Sequence, residues 1–262
     1  MKLKIYQIDA FSNRLFSGNP AAVIPLDFWL NDEQLLAIAA ENNLSETAYF
    51  VPTDSGFHLR WFTPGGEVKL CGHATLATAF VLFEYMDYPG ECIRFDSLSG
   101  ELVVKRINDR IELDFPAIPV KAVAQVNNAL IDGIGVKPSA VFCSHQDYML
   151  VYDDMQTVIG LNPDFNRLNQ LDLRGVLVTA KGDDYDFVSR CFFPKYGVNE
   201  DPVTGSAHCI LAPYWAKQLD KKLLSARQWS KRGGDIECEV IEDRVLLRGG
   251  AVFYMKGELI LP

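Results

Sequence analysis

The pentapeptide RWFTP at residues 60–64 returns as RCFFP at residues 190–194, 130 positions later in a chain of 262 residues. Downstream of it, Glu67, Gly72 and Ala74 return as Glu200, Gly205 and Ala207, now 133 positions later, so the second copy carries a three-residue insertion between the two blocks. Each half therefore has the order strand, RxFxP, loop, ExxxxGxA, helix. A spacing this close to half the length predicts a duplicated unit.

The rest of the pattern is read within that constraint. Short β-type runs recur at Leu3–Ile8, Ala48–Pro52, Phe57–Phe62, Glu101–Ile107, Ile111–Phe115, Val176–Thr179, Phe187–Phe193, Val245–Arg248 and Glu258–Leu261. Helical signals are fewer, at Asp32–Asn42, His73–Met86, Pro163–Leu173 and Ser206–Leu219. This is a β-rich α+β chain, not a regular βαβ alternation. The stretch DFPAIPV at 114–120 carries two prolines just after a strand and predicts a boundary, giving domains 1–117 and 118–262, with the last strand able to return to the first domain. The helix from His73 is apolar on every side before Glu84, which predicts that other structure encloses it. A curved mixed sheet or barrel wrapped around a central helix in each half satisfies that demand. Pro213 is expected to kink the second helix or re-aim its later turns.

No apolar run approaches the roughly 20 residues of a membrane span, and the alternating start MKLKIYQIDAF has no signal-peptide core, so a soluble cytoplasmic protein is expected. Six cysteines without a CxxC pair predict reduced thiols. A net charge of −9 argues against nucleic acid or an anionic membrane as the main partner, so an anionic substrate needs a local positive site.

CGHAT at 71–75 and TGSAH at 204–208 offer one. A glycine at a helix start lets unpaired backbone N–H groups approach a ligand under a favourable dipole. Two such starts facing one another would make a carboxylate socket. A Cys71–His73 nucleophilic dyad is disfavoured, because residues two apart at a helix start are expected to point in different directions. No metal site is expected, since none of the four histidines has a recognisable ligand spacing. Cys71 also reads as a small buried apolar residue, and His73 as a helix cap. In NLSETAYF at 43–50, Glu46 stands at an element edge, where a carboxylate can project into a cleft and act as acid and base in turn; a solvated surface glutamate is the plainer reading.

Taken together, DAFSNRLFSGNPAAVI (9–24), NLSETAYF (43–50), RWFTPGGEVKLCGHATLA (60–77), LDFP (113–116) and NEDPVTGSAH (199–208) resemble, in order, the PhzF family of phenazine-biosynthesis isomerase-like proteins. The resemblance implies the diaminopimelate epimerase-like fold, two similar α+β domains with the active site in the cleft between them, and a homodimer. It also implies Glu46 as the catalytic acid/base, with His73, Asp201 and Ser206 as accompanying site residues and Gly72, Ala74 and Gly205 lining the substrate site. The more distant epimerases resemble the chain at EVKLCG, which places Cys71 on one of their two catalytic cysteines; their second cysteine is replaced here by Thr204. A threonine hydroxyl is a poor proton carrier at neutral pH, so a two-base epimerase lacks its partner.

The function expected is a cofactor-independent isomerase that moves a proton on a small carboxylate-bearing molecule. His73 and Asp201 would position the substrate or shuttle the proton, and Ser206 would donate a hydrogen bond. No nucleotide fingerprint, P-loop or metal cluster suggests a cofactor. The alternatives are an amino-acid epimerase or racemase using Cys71 and a binding protein that kept the fold without the reaction. The substrate itself is not legible.

Overall fold

The computed structural model describes residues 1–261. In chain order the elements are β1 (Lys2–Ala10), β2 (Asn19–Pro25), α1 (Asp32–Asn42), β3 (Glu46–Thr53), β4 (Gly56–Thr63), β5 (Gly66–Val68), α2 (Gly72–Tyr85), β6 (Cys92–Ser97), β7 (Gly100–Ile107) and β8 (Arg110–Pro116). They continue with β9 (Lys121–Ala122), α3 (Asn128–Ile134), β10 (Ala140–Cys143), β11 (Asp147–Val151), α4 (Met155–Gly160), α5 (Phe165–Leu168), β12 (Gly175–Lys181) and β13 (Phe187–Phe193). The last are β14 (Val198–Asp201), α6 (Gly205–Leu219), β15 (Leu223–Gln228), β16 (Gly234–Ile241), β17 (Arg244–Gly249) and β18 (Ala251–Ile260). The chain divides into two compact units, Met1–Asp114 with Arg248–Pro262, and Phe115–Leu247.

Both units are built in the same order. In the first, β1 pairs antiparallel with β2, β2 parallel with β3, β3 antiparallel with β4, β4 antiparallel with β5 and parallel with β6, and β6 antiparallel with β7. In the second, β10 to β16 repeat that sequence of pairings step for step. The parallel steps need crossovers, which α1 supplies in the first unit and α4 with α5 in the second. The second parallel step is crossed by α2 in one unit and α6 in the other, and these helices begin at the repeated glycines Gly72 and Gly205. The fold is α+β, two similar domains of mixed sheet around a central helix. In the first unit β18 also pairs antiparallel with β1 along its whole length.

The apolar helix is enclosed as its sequence demands. Residues 73–79 and 81–83 of α2 are all buried, against β1, β2, β3 and β18. Each Leu, Val or Phe buried there contributes about 1.5–3 kcal/mol. Helix α6 packs on β15 and β16 and runs on through Pro213. Proline has no N–H to give the Cys209 carbonyl, and that oxygen instead accepts the Ile118 N–H at 2.9 Å. Among the described residues no helix is long and apolar enough to cross a membrane.

The repeated RxFxP motif proves to be a clamp. Arg60 grips Glu67 through Nε and Nη2 at 2.7 and 2.8 Å, and Arg190 grips Glu200 through the same nitrogens at 2.7 and 3.1 Å. Each guanidinium also lies over the phenylalanine two residues on, 5.0 Å from the Phe62 ring and 5.1 Å from the Phe192 ring. Thus the strand after each motif is fixed to the strand before it, just ahead of the core helix. Both clamps also reach the crossover helix: Arg60 Nη2 donates to the exposed Asp32 of α1 at 2.9 Å, whereas Arg190 Nη1 satisfies three backbone carbonyls, those of Val158, Ile159 and Leu161 at the end of α4. Lysine cannot reproduce this fork, so Arg190→Lys should destabilise the protein by about 2 kcal/mol, and Arg60→Lys by about 1 kcal/mol or less. Urea denaturation of both variants checks it, and equal losses would refute the extra role of Arg190.

One expected element is shorter than its pattern. The helical signal at Pro163–Leu173 yields only α5, capped at its start by Asp164. The chain then turns, and the Leu171 and Asp172 carbonyls are taken by Lys195 Nζ rather than by a further helical turn.

Candidate active site

The site in the first unit grows from two chain reversals. Between β1 and β2 the backbone folds tightly on itself, with Phe11, Phe16 and Gly18 at positive φ, and the Asp9 carboxylate accepts the Phe16 N–H at 2.9 Å. Gly18, at φ 70°, must be glycine, since a Cβ there would lie 2.2 Å from the Ala10 carbonyl oxygen. This turn delivers Asn19, fully buried, as the first residue of β2. At the other reversal α1 ends on Asn43 in the left-handed conformation, and β3 then starts at Glu46, paired in register with Ala21.

Helix α2 supplies the remaining groups. Its N-cap, Cys71, is extended at φ −143° and ψ 111° and makes no side-chain capping bond; its carbonyl accepts from the Thr75 N–H and hydroxyl instead. The extended cap turns the thiol toward the first turn of the helix. Cys71 Sγ lies 3.5 Å from His73 Nδ1 and 3.9 Å from Nε2. The expectation that these two side chains diverge is therefore corrected. Residues two apart diverge only when both lie on the helix, and Cys71 lies before it.

His73 Nε2 is 3.1 Å from Glu46 Oε2, and Asn19 Nδ2 is 3.1 Å from His73 Nδ1. The imidazole is thus held between an amide and a carboxylate. With the amide donating to Nδ1, the ring proton sits on Nε2 and faces Glu46. Turned over, the same amide presents its oxygen to a protonated Nδ1, so Asn19 can serve both charge states of the ring. Burial opposes a charge on His73, while the Cys71 sulfur when ionised and the Glu46 carboxylate favour it, and the direction is upward from the ordinary imidazole range. Burial, with the Glu46 charge beside it, pushes the Cys71 thiol up to about 11, so Cys71 is a thiol at neutral pH and Glu46 is the group that supports an imidazolium. Glu46 Oε2 is wholly buried and has no aligned hydrogen-bond donor, although its side chain as a whole retains 18% exposure. Ligand atoms of Glu46, Cys71 and His73 lie within 4.8 Å of one another, a grouping that histidine spacing along the chain could not reveal.

The second unit carries its own constellation at the start of α6. Asp201 ends β14, and the Thr204 hydroxyl donates to its carboxylate. Gln228, fully buried on β15, accepts the Thr204 N–H at 2.9 Å and donates to the Asp201 carbonyl at 2.7 Å and to the Thr204 hydroxyl oxygen at 3.1 Å. Ser206 Oγ accepts from Arg174 Nη2 at 3.2 Å, and Arg174 in turn grips the fully buried Asp147 at 2.9 and 2.5 Å. Arg174 occupies one lone pair of the serine oxygen, which leaves the hydroxyl proton free to be donated elsewhere.

Of the residues singled out from the sequence, Glu46 and His73 meet directly. Gly72 and Ala74 occupy the first and third positions of α2, and Gly205 and Ser206 the first two of α6. Asn19, Asp147, Arg174 and Gln228 were not anticipated. Asn19 stood inside a quoted stretch without a chemical signal of its own, and the others meet their partners across 24 to 32 residues of chain.

Residues 8–257 match the family described as phenazine biosynthesis-like protein. A Pseudomonas aeruginosa protein named as an uncharacterized isomerase is 52% identical over 261 residues, with both chains covered completely. A crystal structure of a PhzF-family phenazine biosynthesis protein from Enterococcus faecalis superposes with a TM-score of 0.96 at 48% identity, again over the whole of both chains. A hydroxyproline epimerase from Agrobacterium vitis shares the fold alone, with a TM-score of 0.62 at 11% identity over 98% of this chain and 92% of its own. The sequence match, the shared topology and the full coverage lead to one conclusion: this chain belongs to the phenazine biosynthesis-like family of isomerases, on the diaminopimelate epimerase-like fold.

Proposed function

We propose that the protein isomerises a small carboxylate-bearing molecule by moving one proton, without a cofactor, and that Glu46 carries that proton. The observation that supports this most is the buried Glu46 oxygen facing His73 Nε2 at 3.1 Å, on a side chain that still reaches solvent. Glu46 removes a proton from an activated carbon of the substrate and returns it at another, so the product is an isomer and the enzyme ends in its starting state. His73, held by Asn19, stabilises the carboxylate and keeps it aimed. Asp201 positions the substrate or shuttles the proton, and Ser206 donates a hydrogen bond to the substrate, the accompanying roles carried over from the family resemblance. The hydroxyl of Thr204 is already committed to Asp201, which disfavours it as the second base of an epimerase.

The test is a panel of cyclic and acyclic hydroxy- and amino-carboxylates followed by proton NMR in deuterated water. A shifted double bond is the expected result, unaffected by a chelator, with deuterium at the new C–H only to the extent that the proton on Glu46 exchanges with solvent before its return. Deuterium exchange at an α-carbon with inversion, abolished by Cys71→Ala, would replace this reading by the racemase one.

A further inference from the structure

Proton transfer by Glu46 uses a carboxylate and an imidazole and leaves the thiol beside them without a task. The three groups are a carboxylate oxygen, a sulfur and an imidazole nitrogen within 4.8 Å of one another. Zinc bonds of about 2.0 Å to nitrogen or oxygen and about 2.3 Å to sulfur place the ligand atoms of a tetrahedral ion roughly 3.3–3.5 Å apart. His73 Nε2 stands 3.1 Å from Glu46 Oε2 and 3.9 Å from Cys71 Sγ, and the sulfur, which lies nearer Nδ1 at 3.5 Å, swings toward Nε2 on loading. Oε2 is wholly buried, and the one group that faces it is His73 Nε2 itself, so an ion between the two would take the place of that contact. Asn19 Nδ2 faces the far nitrogen of the ring at 3.1 Å, and with the amide turned over its oxygen accepts the Nδ1–H that a metal-bound histidine donates.

We propose that Glu46, Cys71 and His73 form a three-ligand site for a borderline-soft divalent cation, zinc by its donor set, and that zinc seated there stops the isomerisation. A thiolate and a carboxylate cancel the two charges of the ion, so the loaded site is neutral, as a buried position requires. Sulfur among the donors excludes magnesium and calcium. Loading releases the thiol proton, and any proton held on Nε2, to the buffer. Water would complete the four-coordinate shell. The inhibition rests on the role given to Glu46 above; the binding does not.

The experiment uses the full chain with Cys92→Ser and Cys143→Ser, which removes the two thiols that are not buried. Zinc chloride is titrated by calorimetry in two buffers of different ionisation enthalpy, and cobalt(II) is added in parallel as a spectroscopic probe. One zinc per chain, proton release, no response to magnesium and a thiolate-to-cobalt charge-transfer band are expected. Cys71→Ser should weaken zinc binding at least about 100-fold, and Asn19→Ala, an outer-sphere change, about 10- to 100-fold. Zinc binding retained in Cys71→Ser, or a folded chain that gives no thiolate–cobalt band, overturns the site. If Cys71→Ser does not fold, the cobalt band of the unsubstituted site decides alone. Full turnover with zinc seated would leave the site standing and overturn both its inhibitory action and the role of Glu46.

Discussion

Replacing Glu46 by glutamine should lower turnover at least about 100-fold, the low end of what general acid–base groups contribute, while Cys71→Ala should cost far less. The amide keeps the shape of the side chain and can still present an oxygen to His73 Nε2, so binding and packing are spared and only the titrating proton is lost. Cys71 can be removed more cheaply because its thiol, pushed up to about 11 by burial and the Glu46 charge, does not ionise at neutral pH. Its sulfur fills space at the helix cap, and alanine leaves a small void beside His73 rather than a missing base. The measurement is kcat and KM for both variants on the substrate found in the NMR panel. Near-normal turnover in Glu46→Gln with activity lost in Cys71→Ala would sink the mechanism and return the site to the epimerase reading.

The asymmetry between these two residues also marks how far the sequence could be read. The repeat was legible because its parts are chemically demanding: an arginine fork needs a glutamate, a phenylalanine face and a fixed spacing, and both halves supply all three. The buried helix was legible because ten of its residues are buried and its sequence has no polar face to show. Glu46 was only half legible from pattern: its place at an element edge made it a candidate, but a glutamate there is usually solvated, and the family resemblance was needed to prefer it. The Cys71–His73 contact was misjudged because the helical wheel was extended one residue beyond the helix, to a cap whose φ and ψ are those of a strand. Asn19 and Gln228 stayed hidden for a different reason. A polar side chain buried to complete another residue's hydrogen bonds looks, in sequence, like any polar residue at a strand end.

The last expected result concerns His208, which no reading of function absorbed. It lies one turn into α6, fully buried, with Nδ1 donating to the Thr204 carbonyl at 2.8 Å and its ring 5.8 Å from that of Phe187. Nε2 is buried with no hydrogen-bond partner. Protonation would place a charged N–H against apolar atoms, and burial accordingly lowers the pKa to about 4, although the Thr204 carbonyl pulls the other way. In the unfolded chain the same imidazole titrates near about 6.5. Between these values the unfolded state binds a proton that the folded state refuses, so stability is fully present above about pH 6.5 and is lost as pH falls toward 4. The loss amounts to about 2 kcal/mol at pH 5 and approaches about 3 kcal/mol below pH 4. His208→Asn keeps a donor for the Thr204 carbonyl and removes the titration. Urea denaturation of both proteins at pH 7.5, 6, 5 and about 4.5 should therefore show the wild type losing stability faster than the variant across this window. Parallel curves would mean that His208 finds an acceptor when charged, and that the core around α6 opens to water more readily than its packing indicates.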